Sequence, residues 1–383
     1  MRDLMKRFSL PGTLTSLRVL LLCGLLFDVN SITARAAESA RQLEWEETLK
    51  SAKKEGQLVI YGDDEITHPD ILAAFNRAYP YIKVITVAGK EVELRQRIVA
   101  ERRGGKYLVD LYAGGPNTPR GFYIAKFLDP IGPALLLSEV TDTSKWYGGK
   151  HHYADPENKY LLMFEGSVAS TSTAYNTKLV NPNEFNSYWD LLKPQWKGKI
   201  LSWDPRASLP TQTLTLYYHP QAGPDFIRRF YGDAEVTLFR DRRQGTDWLA
   251  KGKFPICFFC RDIEAAHKQG LPVDMLGLEH LKEAEGIGGG NSSVLILFNK
   301  APHPNGAKVF INWYLSRQGQ MVWQKLTNTK MFEPSDSMRI DIPKDDVLPK
   351  ARRVEGRKYP VVGFLDPEPV QKLINEVLGE SKP

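Results

Sequence analysis

Three places in this chain carry residue types and spacings that bear on chemistry. The stretch KGKFPICFFCRD, Lys251 to Asp262, sets Cys257 and Cys260 in a C-x-x-C pattern. That spacing serves a redox couple, half of a metal site, or neither. A redox pair sits at a helix start with a lowered thiol pKa, and a structural zinc wants two further ligands. Here the residues read as a strand, with Ile256 and Phe258 alternating against Cys257. Positions three apart on a strand face opposite sides and lie about 10 Å apart, whereas a disulfide needs Cα atoms closer than roughly 7 Å. The expectation is two small buried free thiols, unless a turn at Phe259 brings the sulfurs together. His151-His152 is the one adjacent histidine pair; neighbouring rings point differently and no ligand spacing surrounds them, so they read as a surface pair.

The third feature is a set of arginines. Arg206 follows Asp204-Pro205 at an expected strand end, and Arg261 follows the strand from Phe254 to Phe259. A guanidinium fork grips carboxylate, phosphate or phosphonate at two points. The hydroxyl of Ser208 and backbone N–H groups after Gly115 would complete such a cradle. Asp63 or Asp64 would hold an amine, and Asn117, Asn291 and Ser292 would add neutral hydrogen bonds. Arg240, Arg242 and Arg243 read as a solvated charge run. No G-x-S-x-G elbow, H-E-x-x-H helix or phosphate loop is present, so no catalytic constellation emerges and no cofactor is implied.

The elements that must position these residues are strands and helices in alternation. QLVIYG, IKVITV and YLVDLYAGG read as strands, separated by helices over PDILAAFNRAYP and EVELRQRIVAERR. The mature N-terminus opens with a helical pattern carrying Leu43, Leu49 and Ala52 near one stripe. Short connections between strand and helix predict a parallel sheet, in which ligands lie outside the carboxyl ends of the strands. Those ends are Tyr61 to Asp64 and Ala113 to Asn117. A second α/β region begins near Val168, with strands expected at Val168–Tyr175, Gly198–Asp204, Glu235–Phe239, Phe254–Phe259 and Asn291–Phe298. Ser187 to Gly198 reads as a helix followed by a proline-broken turn, and Pro304 to Leu326 as one long amphipathic helix. Ser335 to Lys358, charged and spaced by prolines, reads as a surface excursion.

The N-terminus reads as a secretory signal over 1–36: a basic leader, the apolar run VLLLCGLLF, then Ala34-Arg35-Ala36. The run breaks at Asp28, short of the roughly 20 apolar residues a spanning helix needs. Removal would leave 347 of the 383 residues, enough to favour two domains. The leader carries five basic and two acidic residues, so +3 of the formal +6 leaves with it. The remaining +3 is interspersed with acids and gives no reason to expect nucleic acid.

Several segments together resemble the periplasmic substrate-binding proteins of ABC importers, in the ferric-iron, polyamine and phosphonate-type branch. They are AKKEGQLVIYG, LAAFNRAYPYIKV, RIVAERRGGKYLVDLYAGG, AYNTKLV, YWDLLKPQWKGKILSWDP and KAPHPNGAKVFINWYLSRQGQ. The resemblance implies a two-lobed, type II-like α/β fold in which each lobe is a mixed sheet flanked by helices. Crossing strands would join the lobes, and one small ligand would be gripped between them. It divides the chain into a first lobe of 41–168 plus 290–331 and a second of 169–289 plus 332–383. It further implies a periplasmic monomer, not an enzyme, whose closed form docks on a permease of the inner membrane. Ferric-binding members use adjacent tyrosines, whose phenolate oxygens suit a hard trivalent ion, at the end of the strand occupied here by Phe254 to Asp262. Lys251 to Gly270 contains no tyrosine. Tyr217-Tyr218-His219 is the alternative metal set, but LPTQTLTLYYHP reads as a helix, where neighbouring side chains diverge by about 100°. The expected ligand is therefore a small polar or anionic organic molecule.

Overall fold

The computed structural model describes residues 38–62, 64–167, 173–260, 262–277, 280–284, 286–288, 293–330, 335–349, 351–359, 361–362 and 365–380. The expected signal segment, and the two stretches 168–172 and 289–292 where the chain passes between its two large sheets, lie outside the described residues.

The first lobe opens with a helix over 38–55 (α1). Its inward residues are Trp45, Thr48, Leu49 and Ala52; of the expected stripe, Leu49 and Ala52 hold and only Leu43 is exposed. Then follow β1 (Gln57–Gly62), α2 (Pro69–Ala78), β2 (Lys83–Ala88), α3 (Glu91–Arg103), β3 (Leu111–Gly114), α4 (Asn117–Ile124), β4 (Leu128–Asp129), α5 (Ser138–Thr141), β5 (His152–Tyr153) and β6 (Leu162–Met163). The second lobe supplies β7 (Thr173–Asn176), β8 (Ile200–Trp203), α6 (Thr211–Tyr218), α7 (Gly223–Gly232), β9 (Thr237–Phe239), α8 (Arg242–Ala250), β10 (Ile256–Phe258), α9 (Ile263–Lys268), β11 (Val273–Met275) and β12 (Ile287–Gly288). The chain then returns through β13 (Val294–Phe298), α10 (Pro304–Leu315) and α11 (Arg317–Lys330), and ends with β14 (Val361–Val362) and α12 (Pro367–Leu378).

The first sheet runs β2-β1-β3-β13-β6-β5, with β4 beside β13. β1 is parallel to both β2 and β3, and β13 returns antiparallel beside β3. The second sheet runs β11-β7-β10-β8-β9, with β8, β9 and β10 mutually parallel and β7 antiparallel to β10. Each sheet has its own apolar core. The first is built on residues such as Ile60, Phe75, Leu111, Ile296 and Trp323, the second on residues such as Tyr188, Phe226, Phe230 and Phe258. The central strands β3, β8 and β10 are short and wholly buried, as expected where helices cover both faces of a sheet.

Three expectations change. The long helix expected over Pro304 to Leu326 is two helices, because Ser316 adopts an extended backbone at ψ 164°. Its hydroxyl accepts the Gly319 N–H at 3.1 Å, starting α11 afresh. Gly319 itself sits against backbone, since a Cβ there would meet the Tyr314 carbonyl oxygen at 2.7 Å. The helix expected after Ser187 is a pair of 3-10 turns, Tyr188–Leu192 and Pro194–Trp196, divided by Pro194. The surface excursion is, at its start, core: Asp336, Ser337, Met338 and Arg339 are buried. Ser337 bridges Glu165, and Arg339 bridges Trp146. Charged residues tolerate burial there because they are paired: Arg339 forks onto Asp341 at 2.8 and 2.7 Å, and its Nη1 donates to the Leu315 carbonyl at 3.0 Å.

The C-terminal segment is shared between the lobes. Met338 and Tyr359 belong to the first core, whereas Leu373 and Ile374 of α12 belong to the second.

Candidate functional site

Parallel pairing fixes where chemistry can gather. Register pairs Gly62 with Ala113, so β1 and β3 end side by side. A Cβ on Gly62 would lie 2.8 Å from the Ala113 carbonyl oxygen, so this close approach needs glycine. In the second lobe, Trp203 pairs with Phe239 and Phe258 with Ser202. The ends of β8, β9 and β10 therefore bring Asp204–Arg206, Arg240 and Cys260 to one edge. The expected strands here each run to within one residue of the observed end.

At the first edge, Asp64 is exposed in a turn, and Asp63 lies outside the described residues. Asn117 opens α4 and is exposed. The Gly115 N–H, expected to face a ligand anion, is held by a carboxylate of the chain itself. Glu91 accepts from Gly115 and from the Thr118 side chain, and burial raises its pKa above the usual range despite those bonds. Glu91 begins α3, directly after β2, so the parallel order β2-β1-β3 carries it to this edge; sequence reasoning missed it because its partner lies 24 positions away. Glu65 adds a further carboxylate, which accepts from Trp323 Nε1 at 3.3 Å. Arg95 lies close enough to Glu91 to oppose the rise in its pKa.

The second edge gathers arginines around a carboxylate. Arg206 donates from Nε and Nη2 to the two oxygens of Asp204 at 2.9 and 3.0 Å, and from Nη1 to the Leu378 carbonyl at 3.0 Å. Arg240 donates a further bond to Asp204 at 2.9 Å, so it joins this cluster while its side chain stays half exposed, as the expected solvated run had it. Burial would raise the Asp204 pKa, but the bonds from Arg206 and Arg240 outweigh it and hold the carboxyl below its ordinary value. Two guanidinium groups thus share one carboxylate. The Ser208 hydroxyl accepts from Trp203 Nε1 at 3.1 Å. Arg261, Asn291 and Ser292 lie outside the described residues.

Cys257 and Cys260 form a disulfide, with Cα atoms 5.8 Å apart. The expectation of free thiols fails for a local reason. β10 ends at Phe258, and Phe259 adopts the left-handed conformation at φ 67°, which turns Cys260 back toward Cys257. The strand geometry that would have held the sulfurs apart stops one residue too soon. Asp262 is left-handed as well, at φ 58°. The bond is buried, with Cys257 fully covered and Cys260 nearly so.

The other sequence candidates are engaged in structure. His151 and His152 are not a surface pair: His152 is buried, and each ring Nε2 bonds a backbone carbonyl, Val140 at 2.9 Å and Tyr147 at 2.8 Å. Burial lowers both pKa values. Tyr217 and Tyr218 lie on α6 with ring centroids 5.1 Å apart, and the Tyr218 hydroxyl donates to the Asp366 carbonyl at 2.9 Å. Among the described residues, no group of three or more His, Cys, Asp or Glu side chains is arranged to hold a metal ion. A cavity of about 880 Å³ opens beside the C-terminal segment, between Tyr147, Lys344, Arg353 and Tyr359. Its two deepest cations are committed inward: Lys344 reaches Asp336 Oδ1 at 2.7 Å, and Arg353 donates to the carbonyls of Gly166 and Ser337.

The sheet order, with an antiparallel strand returning from the far end of the chain, agrees with the fold of known proteins. The family of bacterial extracellular solute-binding proteins matches residues 63–321, more than half of the chain. This chain belongs to that family. By that family it is an extracellular solute-binding protein. Comparison with curated proteins finds no match. Solved structures share the two-lobed fold at low identity. Apo FutA2 from Synechocystis is 16% identical with a TM-score of 0.59, over 85% of this chain and 99% of that one. IdiA (FutA) from Trichodesmium, in complex with iron and citrate, is 17% identical with a TM-score of 0.58, over 85% of this chain and 100% of that one. AfuA from Actinobacillus pleuropneumoniae, with fructose-6-phosphate bound, is 17% identical with a TM-score of 0.52, over 85% and 98%. Among the described residues, no helix is long and apolar enough to cross a membrane.

Proposed function

We propose that this protein captures a small organic anion or zwitterion between its lobes in the periplasm and delivers it, as a monomer, to an inner-membrane permease. The observation that carries the reading is the pair of guanidinium groups gathered at the strand ends of the second lobe. Arg206 and Arg240 converge there on Asp204, while Glu65 and Glu91 stand at the strand-end edge of the first lobe. A ligand with an acid at one end and an amine or hydroxyls at the other matches both edges. Arg206 is already seated on Asp204, so its direct share is the hydrogen-bonding capacity left beyond that fork. Arg261, which follows the disulfide, is the residue assigned to grip the ligand acid; Asp63, Asn117, Ser208, Asn291 and Ser292 complete the proposed set.

The end of β10 supports an organic ligand over a bare ferric ion. Where ferric-binding members carry adjacent tyrosines, this chain has Phe258, Phe259 and a disulfide-bonded cysteine. The alternative dyad is unavailable in this conformation, because Tyr218 is bonded to Asp366 and burial raises its pKa, which disfavours phenolate. An iron chelate is the second reading. The fold is shared with a protein whose structure holds iron and citrate, and a chelate carboxylate would meet the same arginines.

Native mass spectrometry of the protein isolated from its own periplasm tests the reading. The expected result is a bound organic acid or zwitterion whose affinity, by calorimetry with that compound, falls in Arg261→Ala. A bound ferric ion with a tyrosinate charge-transfer band that Tyr217→Phe abolishes would overturn it. Unchanged affinity in Arg261→Ala would remove that residue from the site.

A further inference from the structure

The C-terminal segment reaches from the first lobe to the second. Residues up to Tyr359 are fixed to the first lobe: the Tyr147 N–H donates to the Met338 carbonyl at 2.8 Å, and the Tyr359 N–H to the Tyr147 hydroxyl at 2.6 Å. α12 is fixed to the second lobe through Val370, Leu373 and Ile374, which pack toward α7, and through the Leu378 carbonyl held by Arg206. Between them, β14 pairs in parallel with β12. The residue that starts α12 is Asp366, whose carboxylate caps the helix by accepting from the Glu368 N–H at 3.1 Å.

The same Asp366 oxygen accepts from Arg120 Nη2 at 2.8 Å, and Arg120 Nη1 lies 3.5 Å from the Leu365 carbonyl oxygen. Arg120 stands on α4, whose Phe122 is in the first core, so this ion pair joins the lobes. From the other side, Tyr218 at the end of α6 donates to the Asp366 carbonyl. One residue at the head of α12 is thus gripped by a cation of the first lobe and a phenol of the second. The Arg120 side chain is 20% exposed and that of Asp366 37%, so the pair is partly shielded from solvent.

We propose that Arg120, Asp366 and Tyr218 form a clasp that holds the two lobes together, so that opening of the ligand-free protein requires the Arg120–Asp366 pair to part. A hinge motion between lobes separates the group on α4 from the group on α12. The Arg120–Asp366 pair contributes only to the joined arrangement, which biases the equilibrium toward it, while Tyr218 and the helix cap keep Asp366 in place on the second lobe. The clasp also gives Tyr218 a role that needs no metal.

Spin labels on exposed positions far from the strand ends, at Lys106→Cys in the first lobe and Lys199→Cys in the second, report interlobe distance in the ligand-free protein by pulsed dipolar spectroscopy. Arg120→Gln and Asp366→Asn both remove the ion pair, and asparagine keeps the helix cap. Each is expected to raise the ratio of open to closed molecules about two- to five-fold, the range for a partly exposed pair. An arm without mutation guards against misfolding. Raising salt from about 0.01 M to about 1 M cuts the screening length from about 30 Å to about 3 Å, which should broaden the wild-type distances and leave those of Arg120→Gln unmoved. Superimposable distributions for the wild type and both variants would overturn the clasp. So would a salt response that persists in Arg120→Gln.

Discussion

Replacing Cys257 and Cys260 together by serine is predicted to lower stability modestly and locally. The closed loop contains only the four residues from Cys257 to Cys260. Loop-closure entropy for so short a ring is about 6 cal/mol/K, or about 2 kcal/mol at 25 °C. Against this, Phe259 is held in the left-handed region, which costs a residue with a Cβ about 1 kcal/mol that is regained when the ring opens. The two serine hydroxyls then sit in a cluster of Leu201, Trp203, Leu249 and Ile263, where burying a hydroxyl costs about 1 kcal/mol each unless it finds a carbonyl. The net loss is about 2 to 3 kcal/mol, seen in a urea midpoint with an unchanged slope. Alkylation of the unfolded protein supplies the first check: the peptide carrying both cysteines takes up reagent only after reduction. Uptake before reduction would refute the bond. A loss above about 5 kcal/mol, or a changed slope, would refute the view that the bond clips one loop rather than tying distant parts of the chain.

Two other predictions concern buried polar groups. Asn312 accepts the N–H groups of Leu136 and Leu137 at 2.7 and 2.9 Å and donates to the Ala134 carbonyl at 2.7 Å. Asn312→Ala strands all three, so a loss of about 3 to 5 kcal/mol is expected in denaturant titrations; a loss under about 1 kcal/mol would mean that these groups find other partners. Lys344 is pushed down to about 8, chiefly by burial, although Asp336 opposes the shift. The native state then releases this proton near pH 8, whereas the unfolded chain keeps it to about pH 10.4, so the unfolded state binds more protons in that window and stability rises with pH. Relative to Lys344→Met, the wild type should gain on the order of 3 kcal/mol between those pH values; a difference flat in pH would count against the shift.

Much of the scaffold is readable because it rests on local pattern. The β-branched runs at Gln57–Gly62 and Lys83–Ala88, and the helices between them, follow from periodicity and short connections, and parallel pairing then puts their ends together. What stays hidden depends on single backbone torsions or distant partners. Phe259 gives no composition signal for its left-handed turn, yet that turn decides whether two cysteines meet. Ser316 breaks a helix whose apolar pattern continues across the break, because its hydroxyl offers α11 a cap. The segment from Ser335 to Arg339 looks polar in sequence and is buried because Gln320, Asp341 and main-chain carbonyls satisfy it.

The same distinction explains why the ligand groups are hard to rank from sequence. A strand-end arginine in a binding protein has two possible partners, a ligand or a neighbouring carboxylate, and both use the same fork. Arg206 and Arg120 have neighbouring carboxylates, Asp204 two residues away and Asp366 at the far end of the chain. The Gly115 amide likewise holds Glu91. In the ligand-free protein these internal pairs satisfy polar groups that would otherwise be desolvated without a partner as the lobes approach. A ligand that enters must then either displace an internal carboxylate or use the groups these pairs leave over. Displacement costs the charge-assisted bonds already made, so affinity rests on groups without such an internal rival, whereas the internally paired ones set the charge of each edge and thereby the class of molecule admitted.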